Sequence, residues 1–334
     1  MQKQLFGTLN LGEEVYIYTL QNDDAIVKIM NFGATIVQFK PFSTSIVGGF
    51  DTLNDYLADT SHQGALIGRV ANRIANATLT MDGNTYRLPM NNNGKHCLHG
   101  GEGFDRKLFT VDNVTDNSIT LSYTAQDGEE GFPARLHVCI KYTLIGASLL
   151  MEYTATPEGK TPIVLTNHSY FNLDGFGGTV LNHTMQIFAD RYTEVNDELI
   201  PTGNRPQVQG TVYNLNTPTK LGDRIQGNFK GYDTFFHANP KTFACFAGKN
   251  LGLVAQADNG KLKLKVYTDQ PGLQFYSATM MQGGPNFSGD IKKQLYGAFC
   301  LETHTEPNCV AHGKAWYDVG ETYKQTTVYA VEKM

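Results

Sequence analysis

The chain has 334 residues, of which 41% are hydrophobic, so it can bury a large core and is not an intrinsically disordered protein. Its net charge of −5 (27 − 32) is spread without a block of like charge, which argues against nucleic acid or an anionic membrane as a partner. It shows no run of about 18 apolar residues and no signal-peptide pattern, and its five cysteines form no CxxC pair, so we expect free thiols in a reducing cytoplasm.

Alternation of apolar and polar residues predicts most of the secondary structure. Taken along the chain, it predicts strands over residues 15–20, 119–124, 137–144, 149–156, 262–268 and 326–331. Dipeptides that favour tight turns separate the predicted strands at Asp82-Gly83, Asp127-Gly128 and Asn259-Gly260.

Helical periodicity is scarce and predicts only short helices over residues 51–58 and 290–295. No Pro-rich linker, low-complexity tract or internal repeat divides the chain. Many short strands joined by turns predict an all-β fold, a large antiparallel β-sandwich with few short helices, which residues 1–334 form as a single domain.

The segment LTNHSYFNL (165–173) is predicted as a strand that carries His168 on one face with Thr166 and Tyr170. A lone histidine on a strand is more often a hydrogen-bonded structural residue than a catalyst. Asn167 and Asn172 are predicted to be structural, because short amides satisfy backbone groups at strand ends.

The segment GAFCLETHTEPN (297–308) is predicted as a strand that carries Glu302 between Cys300 and His304 on one face. The other face carries the core-forming side chains of Phe299 and Leu301. Most strand glutamates are solvated, but the neighbouring cysteine indicates that this face is not simply open to water. If Glu302 and His168 face one pocket, they could form an acid/base pair, because each can hold or release a proton near neutral pH.

Four other segments supply polar groups that suit a ligand rich in hydroxyls. They carry Asn72 and Arg73 in GRVANRI (68–74), His99 in CLHGG (97–101), Asp233 in GYDTFF (231–236) and Gln274 in GLQFY (272–276). An Arg–Asn pair can bind hydroxyls, paired glycines permit close backbone approach, and a carboxylate among aromatic rings can clamp adjacent hydroxyls. Three of the four also have a plainer explanation: surface charges for the two arginines of GRVANRI, a turn histidine in CLHGG and a turn aspartate in GYDTFF.

In their order and spacing, these segments resemble the aldose 1-epimerase (galactose mutarotase) family over nearly the whole chain. The resemblance runs from NFGATIV (31–37) through GRVANRI, CLHGG-x-x-GFD (97–105), LTNHSYFNL, ADRYTEVNDELIPTG (189–203), GYD, QPGLQFY and CLET to GETYKQTTVY (320–329). It implies a galactose mutarotase-like supersandwich with a sugar pocket on a concave sheet, and neither a metal nor an organic cofactor. It also implies Glu302 as general base, His168 as general acid, and sugar contacts from Asn72, Arg73, His99, Asp233 and Gln274.

The chain departs from the usual family pattern at Leu108, Glu194 and Thr234, and in the residues that follow LET. These departures concern sugar preference and local loop shape. They leave each proposed catalytic group in place.

The resemblance implies exchange of the α and β anomers of an aldohexose such as galactose or glucose, by a cytoplasmic monomer or homodimer. The reaction requires an ionised Glu302 and a substantially protonated His168, which the neighbouring carboxylate is expected to favour. The main alternative is a non-catalytic carbohydrate-binding protein of the same fold, which would leave the anomerisation of a fresh α-aldose solution unaccelerated.

Three other enzyme classes find less support in the sequence. A metal enzyme could use His99, His168, Glu302 and His304, but no HxH or HExxH spacing supports it. A glycosidase would need two working carboxylates, for which Glu302 and Asp233 are the candidates. An epimerase of phosphorylated hexoses would need a basic phosphate pocket, which the sequence does not plainly display.

Overall fold

The computed structural model describes residues 2–334. In chain order, the strands are β1 (Gln2–Thr8), β2 (Glu14–Gln21), β3 (Ala25–Met30), β4 (Thr35–Pro41), β5 (Leu66–Ile67), β6 (Arg73–Ile74), β7 (Thr78–Met81), β8 (Asn84–Arg87), β9 (Cys97–Leu98), β10 (Thr110–Val114), β11 (Ser118–Ala125), β12 (Leu136–Ile145), β13 (Ser148–Pro157) and β14 (Thr161–Pro162). They continue with β15 (Thr166–Asn167), β16 (Tyr170–Phe171), β17 (Thr184–Ile187), β18 (Ala189–Tyr192), β19 (Thr219–Lys220), β20 (Asp233–Ala238), β21 (Phe243–Phe246), β22 (Lys249–Asp258), β23 (Leu262–Thr268), β24 (Gly272–Tyr276), β25 (Phe299–Thr303), β26 (Trp316–Tyr317) and β27 (Tyr323–Lys333). The α-helices are α1 (Leu53–Ala58) and α2 (Leu221–Arg224).

Three antiparallel sheets make up most of the molecule. The first four strands form one sheet in the order β1-β2-β3-β4. A ten-stranded sheet has the order β10-β11-β12-β13-β27-β23-β22-β17-β19, with β21 paired to β22. A five-stranded sheet has the order β16-β25-β24-β20-β18, and the remaining strands form two-stranded ladders.

The main hydrophobic core lies between the ten-stranded sheet and the two smaller sheets. It joins Val27 of β3, Ile140 of β12 and Leu301 of β25. Along β12 the side chains alternate between buried and accessible, and the buried Tyr142 donates its hydroxyl to the backbone oxygen of Ala34 at 2.6 Å. Full burial of one aliphatic side chain such as Val27, Ile140 or Leu301 contributes about 1.5–3 kcal/mol. The core is therefore the main source of stability.

The predicted fold class, an all-β antiparallel sandwich with few short helices, is confirmed. Each of the six strands predicted from alternation lies within an observed strand, namely β2, β11, β12, β13, β23 and β27. The predicted turn at Asp82-Gly83 joins β7 to β8, and both residues have a positive φ, as a tight hairpin turn requires. Neither of the two α-helices found among residues 2–334 is long and apolar enough to cross a bilayer.

Of the two predicted helices, one is present and one is wrong. The helix α1 lies within the predicted 51–58 and begins after Thr52, whose side chain caps it by accepting from the backbone of Asp55. Residues 290–295 form no helix. Asp290 has a left-handed backbone (φ 59°), and Lys293 is drawn into a buried ion pair with Asp59 at 2.8 Å. Tertiary contacts therefore override the local helical pattern.

The single strand predicted over 165–173 is also wrong, because the chain changes sheet in its middle. Its first part, β15, pairs with β5, whereas its second part, β16, pairs with β25. His168 lies between the two, and its backbone is held by hydrogen bonds to Ala65 and from Gly64. The break places the imidazole at the junction of two sheets.

Arg69 is buried, which corrects the surface-charge explanation for this arginine. Its Nη1 donates to the backbone oxygens of Pro133 and Ala134, at 2.6 and 2.7 Å, and to Oγ1 of Thr161 at 2.8 Å. Burial lowers the pKa of the guanidinium to about 10. The side chain thus ties the segment before Asn72 to two distant loops.

We expect the substitution Arg69→Met to lower the free energy of unfolding by about 2–4 kcal/mol, because buried acceptors would lose their donor. The exposed Arg135, which pairs with Glu158 at 2.7 Å, offers a matched control. Arg135→Met should cost less than about 1 kcal/mol. Urea denaturation of both variants measures the difference, and equal losses would contradict a structural role for Arg69.

Candidate active site

The register of the five-stranded sheet brings polar side chains together on one face. Gln274 of β24 lies directly opposite Glu302 of β25. On the other side of β24, Tyr276 lies opposite Asp233 of β20. Directly paired residues share a face and successive residues alternate, so these four side chains form one surface, while neighbours such as Leu301 enter the core.

His168 is held over this surface by contacts on several sides. Its ring stacks on Tyr170, with centroids 5.1 Å apart, and its Nδ1 lies 3.7 Å from Sγ of Cys300. Its Nε2 lies 3.6 Å from Oε1 of Glu302. The two ionisable groups, which are 134 positions apart in the chain (302 − 168), therefore face each other.

The turn that carries His99 locks the orientation of its ring. His99 has a positive φ of 56°, and its backbone N–H donates to the oxygen of Asn72, whose own N–H donates to Nδ1 of His99 at 3.2 Å. A Cβ at Gly100 would lie 2.5 Å from the backbone oxygen of Gly68. Gly100 thus permits close approach to another part of the chain.

The tautomer of His99 follows from this contact. Because Nδ1 accepts a hydrogen bond, the hydrogen of the neutral ring is on Nε2, which is a donor. Burial, followed by the neighbouring His62, holds the pKa of His99 well below its ordinary value, so the ring is neutral.

A second polar group is formed by Arg73, Asp233 and Gln274. The Nη2 of Arg73 lies 3.8 Å from Oδ2 of Asp233, and its Nε donates to Asn92 at 3.2 Å. Gln274 donates its Nε2 to Oδ1 of Asp233 at 2.5 Å. The three side chains fix one another and present charged and amide groups to the same space.

The seven site residues predicted from the sequence all line one cavity of about 240 Å³. These are Asn72, Arg73, His99, His168, Asp233, Gln274 and Glu302. Within residues 2–334, no group donates a hydrogen bond to Oε2 of Glu302 or to Oε1 of Gln274, although both atoms are buried. Buried acceptors in a polar cavity of this size suit a small ligand with several hydroxyls.

Sequence reasoning missed several residues that also line the cavity. They are Thr60, Ser61, His62, Leu98, Tyr170, Tyr276, Met280 and Met281. For the two tyrosines the predicted alternation was an available signal, because it puts Tyr276 on the same side as Gln274 and Tyr170 on the same side as His168. For His62 the signal was its position in a polar segment (residues 60–64) a few residues before GRVANRI, which does not distinguish a site from a surface turn.

The three positions that depart from the family pattern lie elsewhere. Thr234 points to the opposite side of β20 from Asp233, and Leu108 packs near Phe32. Glu194 is partly exposed and accepts hydrogen bonds from Thr202 and Asn204. The described lining of the cavity contains none of the three departures.

Burial shifts the pKa values of Glu302 and His168 in opposite directions. The pKa of Glu302 is raised well above its ordinary value, first by burial and then by the negative charge of Asp233, against the opposing effect of Arg73. Burial lowers the pKa of His168 to about 3, and the neighbouring His62 adds to this. The sequence-based expectation of a protonated His168 is therefore wrong for the site as it stands, because the loss of solvation outweighs the attraction of the nearby carboxylates of Asp59 and Asp105.

Three of the side chains are close enough for a metal ion, but one is unsuited to bind it. One nitrogen or oxygen from each of His99, His168 and Glu302 lies within 4.8 Å of the others. The free nitrogen of His99 carries a hydrogen, so it has no lone pair for a metal. The fourth candidate, His304, donates its Nδ1 to the oxygen of Thr305 at 2.5 Å. The geometry favours hydrogen bonding to a ligand over metal coordination.

Comparison with known proteins places these residues in a family context. The model of the aldose 1-epimerase family matches residues 16–330. The galactose mutarotase of Bos taurus is 38% identical over 97% of this chain and 96% of that protein. The aldose 1-epimerase of Escherichia coli K12 is 33% identical over 95% of each chain.

Solved structures agree with the fold. A GalM/aldose epimerase homologue from C. elegans gives a TM-score of 0.86 at 24% identity, covering 95% of this chain and 99% of that one. A galactose 1-epimerase from Lactobacillus acidophilus gives 0.87 at 21% identity, covering 99% and 98%. At these identities, the similarity supports the fold alone.

The raised pKa of Glu302 predicts a stability that depends on pH. Between the unfolded pKa, about 4.3, and the higher folded pKa, the unfolded state releases a proton that the folded state keeps, so stability falls as pH rises. Glu302→Gln removes this loss. We expect the unfolding free energy of Glu302→Gln to exceed that of the wild type by more at pH 8 than at pH 4.

Urea denaturation at the two pH values measures this difference. The control is Glu332→Gln, at a carboxylate 49% exposed, which should change stability by less than about 1 kcal/mol at either pH. An advantage of Glu302→Gln that is equal at both pH values would contradict the raised pKa.

Proposed function

The chain belongs to the aldose 1-epimerase family, and we propose that it interconverts the α and β anomers of an aldohexose such as galactose or glucose. The family resemblance seen in the motifs is thereby confirmed. The observation that carries the proposed mechanism is the 3.6 Å separation of Nε2 of His168 from Oε1 of Glu302 within one polar cavity. The hydroxyl and ring oxygens of a cyclic aldose are bonded to the same carbon, so two groups this close can act on both.

In the proposed mechanism, Glu302 is the general base and His168 the general acid. The carboxylate takes the proton of the C1 hydroxyl while the imidazolium gives a proton to the ring oxygen, and the bond between C1 and the ring oxygen breaks. The open aldehyde rotates about its C1–C2 bond. Ring closure on the other face then returns both protons to the groups that supplied them, so the cycle needs no oxidant and consumes no proton.

The proton required for this chemistry is already present in the resting pair. A protonated Glu302 with a neutral His168 holds the same number of protons as a carboxylate with an imidazolium. Transfer of one proton within the pair converts the first state into the second. A sugar hydroxyl that donates to the unpartnered Oε2 of Glu302 favours the carboxylate, and Arg73 acts in the same direction.

The remaining predicted residues are proposed to hold the sugar. Asp233 and the free Oε1 of Gln274 are acceptors for hydroxyl hydrogens. The Nε2 of His99 and the guanidinium of Arg73 are donors to sugar oxygens, and Asn72 supports His99 through its backbone. Donors and acceptors that are fixed before binding reduce the entropy lost when the sugar is ordered.

We extend the proposal to the organisation of the protein. Residues 1–334 act as a single domain, as a monomer or homodimer, on a small aldose. The reaction proceeds by proton transfer between Glu302, His168 and the sugar, and none of its steps calls for a metal, an organic cofactor, a nucleic acid or a membrane.

We expect Glu302→Gln and His168→Gln each to lower kcat by about 10²–10⁴-fold, because each removes one positioned proton-transfer group. Polarimetry of freshly dissolved α-D-glucose and α-D-galactose measures the rate. Glu332→Gln and His137→Gln change the same residue types at exposed positions and should keep the wild-type rate. Retention of more than a tenth of the wild-type kcat in Glu302→Gln would overturn its assignment as the base.

A further inference from the structure

A third imidazole, that of His62, borders the cavity beside the proposed acid. Its ring centroid lies 6.0 Å from that of His168 and 4.7 Å from that of His99. Its side chain is 16% exposed and belongs to the lining of the cavity. The mechanism described above does not use it.

The orientation of His62 is fixed by a buried carboxylate. Its Nδ1 lies 2.8 Å from Oδ2 of Asp105, whose side chain is only 3% exposed. The Nε of Arg106 lies 3.4 Å from the same oxygen, and its Nη1 donates to the backbone oxygens of Tyr56 and Leu57. The imidazole is therefore backed by a network anchored at the end of α1.

The hydrogen-bonding character of His62 is opposite to that of His99. A carboxylate accepts hydrogen bonds, so Nδ1 of His62 carries the hydrogen and Nε2 of the neutral ring is an acceptor. In His99 the Nε2 is the donor. His99 and His62 thus present a hydrogen-bond donor and a hydrogen-bond acceptor side by side in the cavity. Such a pair can distinguish a sugar hydroxyl that must accept from one that must donate.

The location of His62 points to one hydroxyl of the sugar. In the proposed mechanism, His168 faces the ring oxygen of the sugar and Glu302 faces the C1 hydroxyl. The ring oxygen is bonded to two carbons, C1 and C5. His62, which borders His168 on another side than Glu302, then lies near C5. In an aldohexose C5 carries the hydroxymethyl group. His62 also borders an outer groove of about 990 Å³, into which an exocyclic group can extend.

The charge of this groove suits a neutral group. Glu13, Glu102 and Asp105 line it, and the guanidinium of Arg106 already serves backbone oxygens and Asp105. An anionic substituent such as a phosphate would face these carboxylates. A hydroxyl meets no such repulsion.

We propose that His62, positioned by Asp105, accepts a hydrogen bond from the C6 hydroxyl of an aldohexose and thereby favours hexoses over pentoses. This inference rests on the proposed function, because the placement of C5 follows from the roles of His168 and Glu302. His62 is a binding residue in this scheme, and Asp105 acts through it.

The test compares D-glucose with D-xylose, which lacks only the hydroxymethyl group. We expect His62→Phe, which keeps a ring but has no acceptor, to lower kcat/KM for glucose about tenfold, the effect of one lost hydrogen bond. The value for xylose should change less than twofold. His62→Gln serves if the first variant fails to fold, and His137→Gln, at an exposed strand position, is the control that should leave both sugars unchanged.

An equal loss with both sugars, or no loss with glucose, would overturn the role of His62. Isothermal titration with each sugar separates this outcome from failure of the proposed function. If the wild type binds glucose without converting its anomers, the proposed epimerase activity fails. The ratio of the dissociation constants for glucose and xylose, compared between the wild type and His62→Phe, still decides whether His62 binds the hydroxymethyl group. Absence of binding of both glucose and galactose by the wild type would overturn both proposals.

Discussion

The register of the five-stranded sheet is the constraint on which the site depends. Antiparallel pairing of β24 with β25 sets Gln274 opposite Glu302, and pairing of β24 with β20 sets Tyr276 opposite Asp233. A slip of one residue would turn every one of these side chains into the hydrophobic core and bring core residues to the cavity. Burial of Leu301 and its neighbours therefore stabilises the register, and through it the active site.

The same burial that fixes the site makes its ionisable groups costly to charge. Glu302 and His168 are buried, so the pKa of each is shifted in the direction that favours its neutral form. A pair that shares one proton can move between a neutral state and an ion pair without exchange with solvent. Ligand hydroxyls can shift that balance, because they donate to a buried carboxylate oxygen that the protein leaves without a donor. Stability is reduced at the position where the chemistry takes place.

The outcome of the sequence predictions follows from the range of the forces involved. Strands such as β12 and β23 were predictable because alternation over several residues is a local property. The helix expected over 290–295 is absent because Lys293 is recruited by Asp59, more than 200 positions away. The break at His168 was equally invisible, since it depends on which sheet each half of the segment joins.

The sequence by itself determined the all-β class, most long strands, and the seven polar residues that line the cavity, because these follow from residue pattern and from motifs in a fixed order. Only the tertiary structure decided the ionisation of Glu302 and His168, the donor and acceptor roles of the imidazoles, and the presence of His62 in the lining of the cavity. These properties depend on desolvation and on hydrogen bonds between residues distant in the chain. A local sequence pattern does not encode how close two distant segments lie in the folded protein. That distance determines both the desolvation of a side chain and the hydrogen bonds that it makes.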